Sequence, residues 1–460
     1  MLVSAQAQQP GLSNSNYFST QSILLNPSST SDSGNNQEIQ LGSVKLFARN
    51  NYLFLPKKDF TYAMLGNLSL ANFNDEFTEE KRYNGNIETD MNLVSITKAY
   101  GKFGFGLSTR FRLMSNINNF PSHLAKFLFE GFAYEDQHGK PYEAGDFSVK
   151  SMSWGEVAAN ASYMLYNLEH DMIKVGATIK RLYGVHNLGF YFGEIDYTVY
   201  NDTIDFQLLT GRYAMATPDV DREMITGKGW GLDVGITYVH TDKTCTHYTP
   251  FSRAVGCKKL SYDYKIGVSL IDIGGIRFNK QARIRDLNNA KGFWDNYSES
   301  NLSSPGVIDN ALLSKFGEAN PTITKDTLFV TMLPTAAAVE IDKRFGKHFY
   351  LNATGLLGIS LRKNMGAFRS SYFAITPRFE HPKFGGALPI TMYGYKSPTV
   401  GFMFRTQGVY FGTNNLLPFL GLNNWWGADL YIGIRFQIGT TPICKFELAK
   451  NKNFWCPSCK

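Results

Sequence analysis

The stretch from Trp425 to Gly439 separates by parity into two lists. One is apolar: Ala428, Leu430, Ile432, Ile434, Phe436 and Ile438. The other is polar or small: Gly427, Asp429, Tyr431, Gly433, Arg435 and Gln437. Alternation at period two marks a β-strand with one apolar face. The pattern recurs along the chain. Phe103, Phe105, Leu107, Thr109, Phe111 and Leu113 alternate with Gly104, Gly106, Ser108, Arg110 and Arg112. Ile173, Val175, Ala177 and Ile179 enclose Lys174, Gly176 and Thr178, with Lys180 following. Trp230, Leu232, Val234, Ile236 and Tyr238 enclose Gly231, Asp233, Gly235 and Thr237. Further runs start at Tyr262, Phe349 and Val400, and weaker ones lie near 38–48, 59–70, 89–98, 154–166, 188–210, 275–285, 329–343, 370–380 and 385–395. Together they predict about 14 strands (range 14–16), each near the 9–11 residues of a tilted membrane strand.

Connections come in two sizes. Short ones are expected at 99–102, 167–171, 272–275, 345–347 and 380–383, and long ones at 71–88, 116–153, 211–228 and 286–328. Short turns on one rim and long loops on the other characterise outer-membrane barrels. The expected fold is therefore all-β, a closed antiparallel transmembrane β-barrel over 37–439. The alternative is a soluble all-β protein, whose apolar faces meet in a core.

Two features favour lipid outside. The polar lists hold small residues and single charges of both signs, which suit a hydrated lumen. Lumen-facing candidates are Arg110, Arg112, Lys174, Lys180, Asp233, Asp263, Glu340, Arg362, Arg405, Asp429 and Arg435. Aromatics also sit at strand ends, where interfacial girdles form: Trp230, Tyr238, Tyr262, Trp425 and Trp426.

Composition agrees. Among 460 residues only 18% are charged and 14% are aromatic, against about 25% charged in ordinary soluble domains. The net charge of +7 is scattered, without the dense basic run of a nucleic-acid arm. No apolar stretch reaches the length of a membrane helix, so a membrane is crossed by strands or not at all.

The ends carry other signals. Ala5-Gln6-Ala7 has the small-x-small form of a signal-peptidase site, so residues 1–7 are expected to be a signal-peptide remnant. Residues 440–460 form a cysteine-containing tail, periplasmic on the barrel reading. Cys245 and Cys257 are spaced to close a local disulfide, and Cys456 and Cys459 are disulfide candidates, with zinc and redox chemistry as alternatives. No zinc-protease, nucleophile-elbow or phosphate-loop motif occurs. The expectation is a non-catalytic protein without cofactor or metal.

Two motifs carry a family likeness. "FSTQSILLNPSSTSDS" (Phe18–Ser33) contains Asn26-Pro27-Ser28, and "GTNNLLPFLGLNNWWGADLYIGIRF" forms a terminal hairpin. In these the chain resembles outer-membrane barrels of Bacteroidetes-type bacteria, distantly similar to FadL-type transporters and to PorV and SprF-like barrels of type IX secretion. The resemblance implies a bacterial outer-membrane location. It also implies that residues 8–36, with Asn26 and Pro27, either plug the lumen or hang as a periplasmic segment. Outer-membrane lipid and envelope proteins are the expected partners, in secretion, surface or outer-membrane assembly. The alternative is a passive FadL-like channel for small hydrophobic molecules.

Overall fold

The computed structural model describes residues 10–440 apart from 34, 61–65, 67–68, 132–133, 169, 202, 219–222, 242–261, 297–304, 317–323, 360–364 and 395–397. The cysteines Cys245, Cys257, Cys456 and Cys459, together with Arg362, the segment 1–7 and the tail beyond 440, lie outside the described residues.

The chain forms a closed antiparallel β-barrel of 14 strands. In order, the strands are β1 (Asn35–Asn50), β2 (Arg82–Tyr100), β3 (Phe103–Pro121), β4 (Pro141–Leu168), β5 (Asp171–Val199), β6 (Thr203–Ala216), β7 (Gly227–His240) and β8 (Tyr264–Phe278). There follow β9 (Ala282–Asp295), β10 (Ala336–Phe345), β11 (Phe349–Gly358), β12 (Tyr372–Glu380), β13 (Phe384–Ala387, resumed at Ile390–Tyr393), β14 (Phe402–Thr406), β15 (Val409–Thr413) and β16 (Asp429–Thr440). All but β6 and β9 are staves of the wall. The ring closes where β16 pairs with β1, Leu430 opposite Leu46 and Ile434 opposite Gly42.

The wall is inverted relative to a soluble core. Leu107 is 62% exposed, Ile179 58%, Ile432 61% and Ile434 51%, whereas Arg110, Asp233, Tyr431 and Arg435 on the opposite parity are buried. Period-two alternation puts each set on one face, and closure leaves no wall strand with an unpaired edge.

Two expectations are corrected, and a third lies mostly outside the described residues. The turn expected at 272–275 is a bulge inside β8, where the pairing with β7 skips between Leu270 and Ile273. Asp272 (φ 56°) and Gly274 (φ 139°) absorb it, the positive φ that a bulge demands. The expected loops at 116–153 and 286–328 are partly strand: β3 runs on to Pro121, β4 begins at Pro141, and β9 reaches Asp295. β4 and β5 are 28 and 29 residues long, far beyond a bilayer's needs. Their outer halves leave the barrel, and β5 there pairs with β6, which pairs with β9. This extension has its own core, in which Phe147, Tyr197, Tyr213 and Leu287 pack with Phe127 of α1 (Ser122–Glu130) and Phe316 of α2 (Pro305–Phe316). A strand expected near 59–70 falls mostly on residues outside those described, and Leu70–Asn72 forms a 3₁₀ turn.

Candidate functional site

Residues 10–33 lie inside the barrel. Leu12, Phe18, Thr20, Leu25, Asn26, Ser28 and Thr30 are all buried. Asn26 caps a 3₁₀ turn, Pro27–Asp32, its Oδ1 accepting from the Ser28 N–H at 3.1 Å, and Pro27 fits the first turn because it lacks a donor there. Asn26 Nδ2 donates to Glu340 Oε1 and to Thr237 Oγ1, each at 3.1 Å. Thr30 Oγ1 donates to Asn160 Oδ1 at 2.6 Å, and Asn160 Nδ2 to the Pro27 carbonyl at 3.1 Å. The wall makes room with inward glycines. A Cβ on Gly176 would stand 2.4 Å from Pro27 O, and one on Gly235 2.2 Å from Asn26 Oδ1.

Two layers of charge flank this segment. In the first, the bulge presents Asp272, whose carboxylate accepts from Arg112 Nη1 (3.1 Å), Lys180 Nζ (2.6 Å) and Arg369 Nη2 (2.7 Å). The Asp272 N–H donates to Asp233 Oδ1 at 2.7 Å, and Lys180 lies 2.8 Å from Asp233. Arg110 pairs with Asp90 and, at 2.9 Å, with Glu156. Trp154 Nε1 donates to Glu156 Oε2 at 3.2 Å beneath the Arg112 guanidinium, 4.6 Å from the ring centre. Arg110, Arg112, Lys180 and Arg369 thus balance Asp90, Glu156, Asp233 and Asp272. Burying charge demands such pairing.

The second layer joins wall to N-terminal segment. Glu38 accepts from the Ser19 N–H at 3.0 Å and from Thr20 Oγ1 at 2.6 Å. Arg435 lies 3.6 Å from Glu38 and donates to the Tyr17 carbonyl at 2.6 Å, its guanidinium 4.1 Å from the Phe18 ring centre. Glu380 pairs with Arg405 and Arg378 and accepts from Ser15 Oγ at 3.2 Å. Arg378 continues to Asp342 at 2.7 Å. Between the layers and the segment lies a cavity of about 40 Å³, flanked by Ser13, Gln21, Lys45, Asp90, Lys180 and Asp272.

Of the remaining lumen candidates, Lys174 and Glu340 are buried, and Asp429 is buried at the long-loop mouth. Asp263 is half-buried and pairs with Arg344 at 3.2 Å. Among the aromatics, Trp230 is 60% exposed, with Arg181 4.8 Å from its ring centre. Tyr238, near the other end of β7, donates to Asp171 at 2.6 Å. Tyr262 is a correction. It precedes β8 and is buried inside, its hydroxyl 2.6 Å from Asp342 Oδ2, because a carboxylate already ringed by cations can use a neutral donor. Trp425 and Trp426 also depart from the lipid boundary. They precede β16 and pack half-buried in the loop layer, Trp425 against Phe60 and Phe73, and Trp426 against Phe54 at 4.7 Å.

Sequence reading did not single out Asp272, Glu156, Arg369, Glu38 or Glu380. The usable signal was inward parity in the strands that carry Glu38, Glu156 and Glu380. Asp272 and Arg369 had none, one sitting in a bulge and the other between strands.

No curated protein matches this chain. Among solved structures, the toluene transporter TodX of P. putida is similar at 7% identity over 92% of this chain and 95% of that one, with a TM-score of 0.43. The Ralstonia pickettii toluene transporter TbuX is similar at 10% identity over 92% and 94%, with a TM-score of 0.41. A Pseudomonas aeruginosa FadL homologue is similar at 9% identity over 91% and 94%, with a TM-score of 0.40. At that level the likeness carries nothing about activity. The model described as "Family of unknown function (DUF5723)" matches residues 27–414, and the chain belongs to that family.

Proposed function

We propose that this is a non-catalytic bacterial outer-membrane barrel with a sealed lumen, working through envelope partners as an accessory of secretion or of surface or outer-membrane assembly. One observation carries the reading. The N-terminal segment is buried and bonded to the wall, and the cavity beside it is about 40 Å³, room for water but not for a solute path. The exposed apolar belt supports a bilayer setting, since rows of such residues in water form an aggregating patch. The extension of β4, β5, β6 and β9 supplies a docking surface beyond the long-loop rim. In planar bilayers the intact chain is expected to be silent, and affinity purification from native membranes to retain an envelope protein in fixed ratio. Steady currents from the intact chain overturn the sealed lumen, and a barrel that purifies alone overturns the partner role.

A second reading, passage of small hydrophobic molecules, is favoured by an apolar groove of about 520 Å³ on the wall at the short strands β14 and β15. Val44, Phe402, Phe411 and Ile432 line it, together with the inward residue Tyr431. On that reading an aromatic hydrocarbon enters proteoliposomes without ionic current.

A further inference from the structure

We propose that the long-loop mouth contains a binding site for a neutral saccharide. A cavity of about 410 Å³ opens there, bounded by the end of β1, the chain leading into β2 and the connection from β15 to β16. That volume is within the range of small-molecule sites. Asparagines dominate its lining: Asn50, Asn51, Asn84, Asn423 and Asn424, beside Trp426.

The asparagine amides are held by the fold. Asn51 Oδ1 accepts from the Asn84 N–H at 2.7 Å, and Asn84 Oδ1 from the Asn119 N–H at 3.0 Å. Anchoring the oxygens leaves the Nδ2 groups as donors on a cavity wall. Tyr52 beside them is a fixed neutral donor to Asp75 at 3.1 Å, its phenol raised well above the usual range by burial and then by that carboxylate.

Charge selects against ions. Lys81 and Glu76 pair with each other at 3.2 Å, and Arg49 and Asp429 are the other two charged groups of the lining. The four formal charges cancel, so neither an anion nor a cation is favoured.

The two lone charges of the lining are held out of a ligand's reach. Asp429 is 3% exposed; its Oδ2 accepts from Asn414 Nδ2 at 2.9 Å, while Oδ1 has no partner among the described residues. Arg49 Nη1 is likewise buried without a partner among the described residues, its guanidinium 5.2 Å from the Tyr393 ring centre. Buried polar atoms are rarely left unpaired. Neither of those two atoms has surface open to the cavity, so the groups left for a ligand are Asn51 Nδ2 and Asn84 Nδ2, to which a sugar hydroxyl presents its acceptor lone pairs. Trp426, held against Phe54, offers a flat apolar surface to the C–H face of a sugar ring. A hydrocarbon would strip water from the amides without replacing their hydrogen bonds.

This site stands apart from the sealed-lumen reading, since a barrel that conducted would bind the sugar equally. The test uses the purified full chain in detergent, screened on an array of neutral mono- to tetrasaccharides, with glucuronic acid and inorganic phosphate as charged comparators. Binders are then measured by calorimetry. A neutral sugar is expected to bind, and Trp426→Ala and Asn51→Ala each to weaken it by at least about tenfold, with heat-modifiable gel migration unchanged. The proposal is overturned by an array without a neutral binder, by equal binding in both folded variants, or by tighter binding of either charged comparator.

Discussion

Two charged layers line the inside of this barrel, and they differ in what they hold. Around Asp272 the charges come from the wall and from Arg369, and they satisfy one another. None of the eight hydrogen-bonds to residues 10–33 among the described contacts. Around Glu38 and Glu380 the carboxylates are also paired with arginines, yet they keep lone pairs for Ser15, Ser19 and Thr20. The first layer braces a cylinder whose interior cannot rely on apolar packing. The second seats a guest segment. Self-neutralised charge makes a strut, and charge with spare acceptors makes a socket.

The comparison breaks most sharply at the strut. Asp272→Ala leaves Arg112, Lys180 and Arg369 facing one another in a buried space. Removing one partner of a buried pair costs about 3–5 kcal/mol, and urea unfolding in lipid vesicles is expected to show a loss of that size. Ile434→Arg examines the opposite face of the wall. A charge at the bilayer midplane costs about 2–4 kcal/mol, whereas Gln437→Ser on the inner face should unfold at the parent midpoint. At the socket the effect moves from stability to sealing. Gly235→Leu drives a side chain into Asn26 and Pro27, and the expected outcome is a folded barrel that conducts in planar bilayers. Thr20→Val is the mildest change, since it leaves the buried Glu38–Arg435 pair intact. It removes the Thr20 hydroxyl from Glu38, a loss of about 1 kcal/mol, read as faster limited proteolysis before residue 35 at an unchanged unfolding midpoint.

Much of the wall was legible in the sequence. Parity assigned Leu430, Ile432 and Ile434 to one face and Tyr431 and Arg435 to the other, because a pleated strand offers two sides only. The Asp272 bulge was not legible. Ile271-Asp272-Ile273-Gly274-Gly275 reads as a turn, since Asp and Gly supply the positive φ that turns and bulges both use. The extension of β4 and β5 was hidden for a related reason: beyond the barrel wall neither face is uniformly apolar, so alternation fades while pairing continues. Tyr262, Trp425 and Trp426 misled because each lies just ahead of a strand, where its parity no longer applies. For the plug, the inward glycines at 176 and 235 were visible as small residues. What they accommodate is some 150 to 200 residues away in the chain, a contact no local pattern encodes. The mouth site was opaque too, its asparagines being ordinary loop residues until the fold brings them together.

The central claim is that residues 10–33 are part of the folded interior. Hydrogen–deuterium exchange on the intact chain in lipid nanodiscs tests it directly, comparing peptides from 10–33 with peptides from β3 and β7. The account predicts slow exchange over the segment, lasting as long as in the neighbouring staves. Complete exchange of those amides within seconds, while the staves stay protected, would contradict it.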